Sequence, residues 1–82
     1  MTNTELYYLS YCPFCKKLKG FLEENKVSFK LIDVTEDLKL KEEIKQKTGH
    51  ITFPQLLVDG EFVGDCSSTI DNFKDLRKKF NL

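Results

Sequence analysis

The chain carries no net charge, since 13 Lys plus Arg offset 13 Asp plus Glu over 82 residues. That balance argues against non-specific attraction to nucleic acid or to an anionic membrane as the main role. Long apolar runs are missing too. The start, Met1-Thr2-Asn3-Thr4, is polar, and the run Leu6–Leu9 is far too short for a secretory core or a membrane span. A cytoplasmic, soluble protein is the expectation. No repeat, linker or low-complexity tract divides the chain, and its length suits one domain, residues 1–82, with a single core.

Cysteine is scarce: there are three, an odd number, and only two lie close together. A secreted disulfide scaffold carries more of them, at wider spacing. Zinc would need two ligands beyond the close pair, and only His50 and Cys66 are on offer, so no metal site is expected. Cys66 reads as a small, partly buried turn residue and His50 as a surface loop residue.

What the chain does have is Cys12-Pro13-Phe14-Cys15, placed between an apolar run and an amphipathic one. Closing so short a loop by a disulfide contributes about 2 kcal/mol, against roughly 3 kcal/mol for a fifteen-residue loop. Such a bridge is a poor staple and a serviceable redox switch. Cys12 sits where a helix begins, and free backbone N–H groups there favour a thiolate. A thiol of pKa about 8.5 is only ~3% ionised at pH 7, whereas one near 7 is about half ionised. Intrinsic nucleophilicity falls as pKa falls, so the net gain in attack rate is a few-fold. The larger gain is that Cys12 becomes a better leaving group. Cys15, within the first turn, suits a resolving thiol. Pro13 fixes φ inside the motif, and Lys16 and Lys17 add positive charge that solvent screens.

The rest of the pattern gives the order β-α-β-α-β-β-α. Leu6-Tyr7-Tyr8-Leu9 is apolar on both alternations, as in a strand buried on both faces. Phe14, Leu18, Phe21 and Leu22 make one stripe of a helix opening at Pro13 and ending at Asn25-Lys26. Val27–Val34 reads as a second strand, and Thr35 as the cap of a thin-faced helix holding Leu38 and Ile44 and stopping at Gly49. Asp59-Gly60 signals a hairpin between Gln55–Val58 and Glu61–Val63. Ser67 or Ser68 is the expected cap of a last helix with Ile70, Phe73, Leu76 and Phe80 on its core stripe. Phe21, Phe29, Phe73 and Phe80 are expected in the core. The α/β fold is then a mixed four-stranded sheet with helices on both faces.

This order, with its motif after the first strand, resembles a glutaredoxin of the thioredoxin fold from about Glu5 to Phe80. Cys12-Pro13-Phe14-Cys15 is similar to the family's Cys-Pro-Tyr-Cys. Thr52-Phe53-Pro54 resembles its Thr-Val-Pro, where the proline is cis, and Val63-Gly64-Asp65-Cys66-Ser67 its Gly-Gly-Cys-Asp turn. The resemblance implies a thiol–disulfide oxidoreductase with no bound cofactor and glutathione as co-substrate. Phe14, Phe53, Pro54, Asp65, Cys66 and Ser67 would line the glutathione groove, and protein disulfides would be the substrates of a monomer. Two departures stand out. Leu9 replaces a lysine that would hold a glutathione carboxylate, and Ser67 replaces an aspartate that would hold its ammonium group. Each lost contact is worth about 1.5–3 kcal/mol at most. Asp65 also replaces the second glycine of the turn. These changes leave room for a redoxin reduced by a flavin enzyme, thioredoxin reductase. A non-enzymatic alternative is a zinc-carrying module or an iron–sulfur cluster shared between two copies.

Overall fold

Leu6 and Tyr7 of the first strand, β1 (Thr4–Tyr8), enter two different cores, which is why this stretch of the strand is apolar on both alternations. A computed structural model describes residues 3–82; Met1 and Thr2, part of the polar start, lie outside the described residues. After β1 come α1 (Pro13–Glu24), β2 (Lys30–Asp33), α2 (Leu38–Thr48), β3 (Gln55–Val58), β4 (Glu61–Gly64), α3 (Cys66–Asp71) and α4 (Phe73–Phe80). The sheet order is β2-β1-β3-β4, with β1 parallel to β2 and antiparallel to β3, and β3 antiparallel to β4. The expected mixed sheet with helices on both faces is the one observed.

On one face Leu6 and Leu56 meet Leu18 and Leu22 of α1, with Val27, Cys66 and Phe73 completing the cluster. Phe21 and Phe73 lock α1 to α4 edge to face, with centroids 4.9 Å apart. Phe29 packs on this cluster only partly buried. On the other face Tyr7, Val34 and Leu57 meet Ile44, the one buried residue of α2. Of the thin stripe expected of α2, the fold buries Ile44 alone. Gly49 ends it at φ 77°, the left-handed turn that glycine adopts without a Cβ clash. Asp59 and Gly60, at φ 54° and 83°, make the expected tight hairpin.

Several local expectations need correction. Phe14, expected on the core-facing stripe of α1, is 60% exposed, and Phe80, expected in the core, is only half-buried. The strand read as Val27–Val34 is shorter, because Lys26 turns at φ 58° and the Val27 N–H bonds back to the Leu22 carbonyl. Thr35 does not cap α2. Its hydroxyl accepts from the Ser10 N–H at 2.7 Å and donates to Asp33, clasping the ends of β1 and β2. Asp37 caps instead, accepting from the Leu40 N–H at 3.1 Å. Leu38, placed on the helix's apolar face, is 72% exposed. At the last helix neither Ser67 nor Ser68 is the cap: Asp65 accepts from the Ser68 N–H at 2.9 Å, and Ser68 Oγ accepts from the Asp65 N–H at 3.0 Å. The helix is also broken into α3 and α4 at Asn72, whose side chain donates to the Ser68 carbonyl. Arg77 then ties the end of α4 to the end of α1, its Nη2 donating to the Asn25 carbonyl at 2.6 Å.

Gly64, the last residue of β4, is required by close approach rather than by its φ. A Cβ there would stand 2.7 Å from Thr69 Oγ1 and 2.8 Å from Ser68 Oγ. Thr69 is fully buried and Ser68 is committed to the cap, so neither oxygen gives way freely. Gly64→Ala is expected to destabilise the protein by about 1–3 kcal/mol. A urea midpoint no lower than that of the unaltered protein would disprove this close packing.

Candidate active site

Three chain segments meet at the end of the sheet where β1 runs out. The first is the turn from β1 into α1. The Cys12 N–H bonds back to the Leu9 carbonyl at 3.1 Å, and Cys12 takes extended φ/ψ as the residue before the helix. Pro13 occupies the first helical turn, where its missing N–H costs nothing. Three residues on, Cys15 points into the core with no exposure, while Cys12 is half-buried. The Cys15 sulfur accepts the Leu9 N–H at 3.3 Å. Tyr11, just before the motif, and Phe14, within it, are both largely exposed.

The second segment is the loop that ends in Phe53-Pro54. That peptide bond is cis, and the Phe53 carbonyl lies 4.0 Å from the Cys12 sulfur. The loop is held from beneath by Gln55, which is buried at the head of β3. Its Nε2 donates to the His50 and Thr52 carbonyls at 2.9 and 3.0 Å, and its Oε1 accepts from Thr48 Oγ1 at 2.8 Å. The sequence pattern places Gln55 in the strand and assigns it no further task. A glutamine where a buried strand wants an apolar residue was the available signal. His50 is exposed, as expected of a loop residue, and stacks on Phe62 at 3.9 Å.

The third segment is the turn into α3, with Asp65, Cys66 and Ser67. Together with Phe14, Thr52, Phe53 and Pro54 these residues line an open groove of about 330 Å³. Six of the seven were singled out in the sequence, and Thr52 joins them. Lys16 lies on the exposed side of α1, its N–H bonded to the Cys12 carbonyl at 3.2 Å. Among the described residues, no group of three or more His, Cys, Asp and Glu is placed to hold a metal ion.

Electrostatics separate the two motif thiols. Burial opposes ionisation of Cys12, but hydrogen bonds from the Cys15 N–H, the Cys15 thiol and the Phe14 N–H outweigh it, and its pKa falls below the ordinary thiol value. For Cys15 burial dominates. With the neighbouring Cys12 and Cys66 sulfurs adding to it against the Leu9 N–H, that thiol is pushed up to about 12. Cys66 is raised as well, chiefly by burial, with Lys17 pulling the other way. The lysine charge that reaches a thiol here is thus Lys17, and the thiol is Cys66. Motif N–H groups, rather than lysines, lower Cys12.

A reachable, readily ionised sulfur beside a buried, protonated one can open a disulfide and form one in turn. With a mixed four-stranded sheet, a helix-mouth Cys-x-x-Cys and a cis-proline facing it, the molecule is a thioredoxin-fold thiol–disulfide oxidoreductase. A sequence model of the glutaredoxin family matches residues 4–63. Glutaredoxin 3 of Escherichia coli is 32% identical over 66 residues, covering 80% of either chain. Glutaredoxin 1 of Rickettsia conorii is 35% identical over 74 residues, 88% of this chain and 72% of its own length. The chain belongs to the glutaredoxin family. Among solved structures, glutaredoxin 1 of Francisella tularensis, complexed with cacodylate, superposes with a TM-score of 0.79. It is 24% identical and covered to 99%, against 95% of this chain. A buckwheat glutaredoxin in complex with glutathione gives 0.80 at 19% identity, over 93% of this chain and 72% of its own.

The opposite shifts of Cys12 and Cys15 set the pH dependence of alkylation. A lowered pKa keeps Cys12 as thiolate to lower pH, so its iodoacetamide rate should half-fall below the midpoint of about 8.5 expected of a free thiol. Cys15 should stay unmodified in the folded protein across the same range. Peptide mapping of the trapped protein reads both; a Cys12 midpoint at or above that of the urea-unfolded chain would refute the assignment.

Proposed function

We propose that this chain is a dithiol glutaredoxin that reduces protein disulfides and mixed disulfides of proteins with glutathione. The observation that carries the reading is the division of labour between Cys12, lowered and accessible, and Cys15, raised and enclosed. The Cys12 thiolate attacks one sulfur of the substrate disulfide, and the other sulfur leaves as a thiolate that takes up a proton. Cys15 then gives up its proton and attacks the Cys12 sulfur. The bound partner leaves as a thiol, and a Cys12–Cys15 disulfide remains. Two thiols of glutathione restore the dithiol and become glutathione disulfide. In the branch that needs no Cys15, glutathione thiolate attacks the mixed disulfide at Cys12 directly. Electrons pass from sulfur to sulfur, so no bound cofactor is required.

The high pKa of Cys15 fits its turn in this sequence. A protonated resolving thiol does not compete for the first attack, and neutralising Cys12 in a mixed disulfide removes one of the lesser influences that raise its pKa. The groove beside Cys12 supports an extended, peptide-like partner along the Phe53 backbone, with Pro54, Cys66 and Ser67 as its walls. The buckwheat relative, solved in complex with glutathione, supports the same ligand here.

A second reading rests on Leu9 and Ser67, which stand where the family resemblance places a lysine and an aspartate. It makes the chain a redoxin recharged by a flavin disulfide reductase. Recycling rates with glutathione plus its reductase, set against thioredoxin reductase, separate the two, and faster recycling by glutathione is expected. Cys12→Ser should abolish turnover with any substrate. Cys15→Ser should lose reduction of protein disulfides and keep the glutathione-dependent branch. Full activity in the Cys12 variant would end the proposal.

A further inference from the structure

The groove beside Cys12 has one charged side chain among its seven lining residues, and it is Asp65. The residue is exposed, yet its carboxylate is not free to wander. The Ser68 N–H and hydroxyl both bond to Oδ1, at 2.9 and 2.8 Å, which fixes the carboxylate plane against the first turn of α3. The Ser68 bonds, followed by smaller contributions from its own backbone N–H and from His50, outweigh burial and hold this carboxyl below its usual range, so it is charged at neutral pH. The remaining wall is apolar or neutral: Phe14, Thr52, Phe53, Pro54, Cys66 and Ser67.

A single immobilised negative charge in such a groove selects for a positive group on the partner. It requires no new side-chain ordering, because the cap has already fixed the carboxylate. We propose that Asp65 is the specificity-determining residue of this site, binding the free ammonium group of the small peptide thiol whose sulfur engages Cys12. This rests on the reading that the groove takes glutathione, which carries such an ammonium on its γ-glutamyl arm. It also revises the expectation that replacing an aspartate by Ser67 removes this contact: the charge is supplied two residues earlier, at the position before Cys66.

The test uses the reduced protein in single turnover against two substrates, a cysteine peptide in mixed disulfide with glutathione and the same peptide with N-acetylated glutathione. Acetylation removes the ammonium and leaves the sulfur chemistry alone. The unaltered protein should half-saturate at about three- to tenfold lower concentration with the free ammonium, an advantage that high salt erodes. Asp65→Asn keeps a side chain that caps a helix as well as aspartate does and removes the charge, so the ratio between the substrates should fall to near one. A ratio that survives Asp65→Asn, or is absent in the unaltered protein, overturns the proposal while leaving the glutathione reading in place. If the unaltered protein turns over neither glutathione substrate yet reduces a protein disulfide, the glutathione reading has failed and this proposal falls with it.

Discussion

Two sulfurs of identical covalent chemistry are given opposite characters by where one helix begins. Because α1 starts at Pro13, Cys12 lies outside the helix with extended backbone, and the N–H groups of the first turn point at its sulfur. Cys15 lies inside the helix on the stripe it shares with Leu18 and Leu22, so it is carried into the core. A shift of the helix start by a residue would undo both outcomes together. The Leu9 turn that sets this start therefore constrains the chemistry more than any single charge does. The Leu9 carbonyl takes the Cys12 N–H, and the Leu9 N–H goes to the Cys15 sulfur. One residue at the end of β1 thus addresses both thiols.

The same economy holds across the groove. The loop before β3 would carry unpaired carbonyls above a buried strand, and Gln55 satisfies two of them from below while its own oxygen is taken by Thr48. That accounting lets a polar side chain sit at 1% exposure and lets an irregular loop present the Phe53 carbonyl to Cys12 from a defined position. On the third side, Gly64 allows α3 to close on the end of β4, which brings Cys66 and Ser67 up to the groove. Leu6 of β1 and Leu56 of β3 share one core cluster with Leu18 of α1 and Cys66 of α3, so the three segments are registered by common packing.

Much of this was legible in the sequence, and the misses share a cause. The hairpin at Asp59-Gly60, the start of α1 at Pro13 and the stop at Gly49 depend on backbone geometry that one or two residues dictate. The helix caps do not. Thr35 and Asp37 both sit before α2, and Asp65, Ser67 and Ser68 all sit near the start of α3, each able to accept from a backbone N–H. Thr35 loses the task because Ser10 and Asp33, both outside the helix, already engage its hydroxyl. Asp65 gains it because the end of β4 fixes where the helix can begin. Tertiary contacts chose between locally equivalent candidates. Gln55 escaped notice for the same reason, since its partners lie in an irregular loop that no periodicity marks.

Placing an aspartate directly before Cys66 has a consequence for the third thiol as well. Cys66 borders the groove within electrostatic reach of Cys12, and Lys17 acts to lower its pKa. In the proposed mechanism, an ionised Cys66 would compete with Cys15 for a partner held on Cys12. Burial is the main restraint, and the Asp65 carboxylate adds to it, so the pKa of Cys66 stays raised despite the lysine. The helix-capping hydrogen bonds keep Asp65 ionised and so maintain that field. One side chain therefore orders the turn, opposes ionisation of Cys66 and puts a fixed charge in the groove. A glycine at that position, as in the family's usual turn, would supply none of the three.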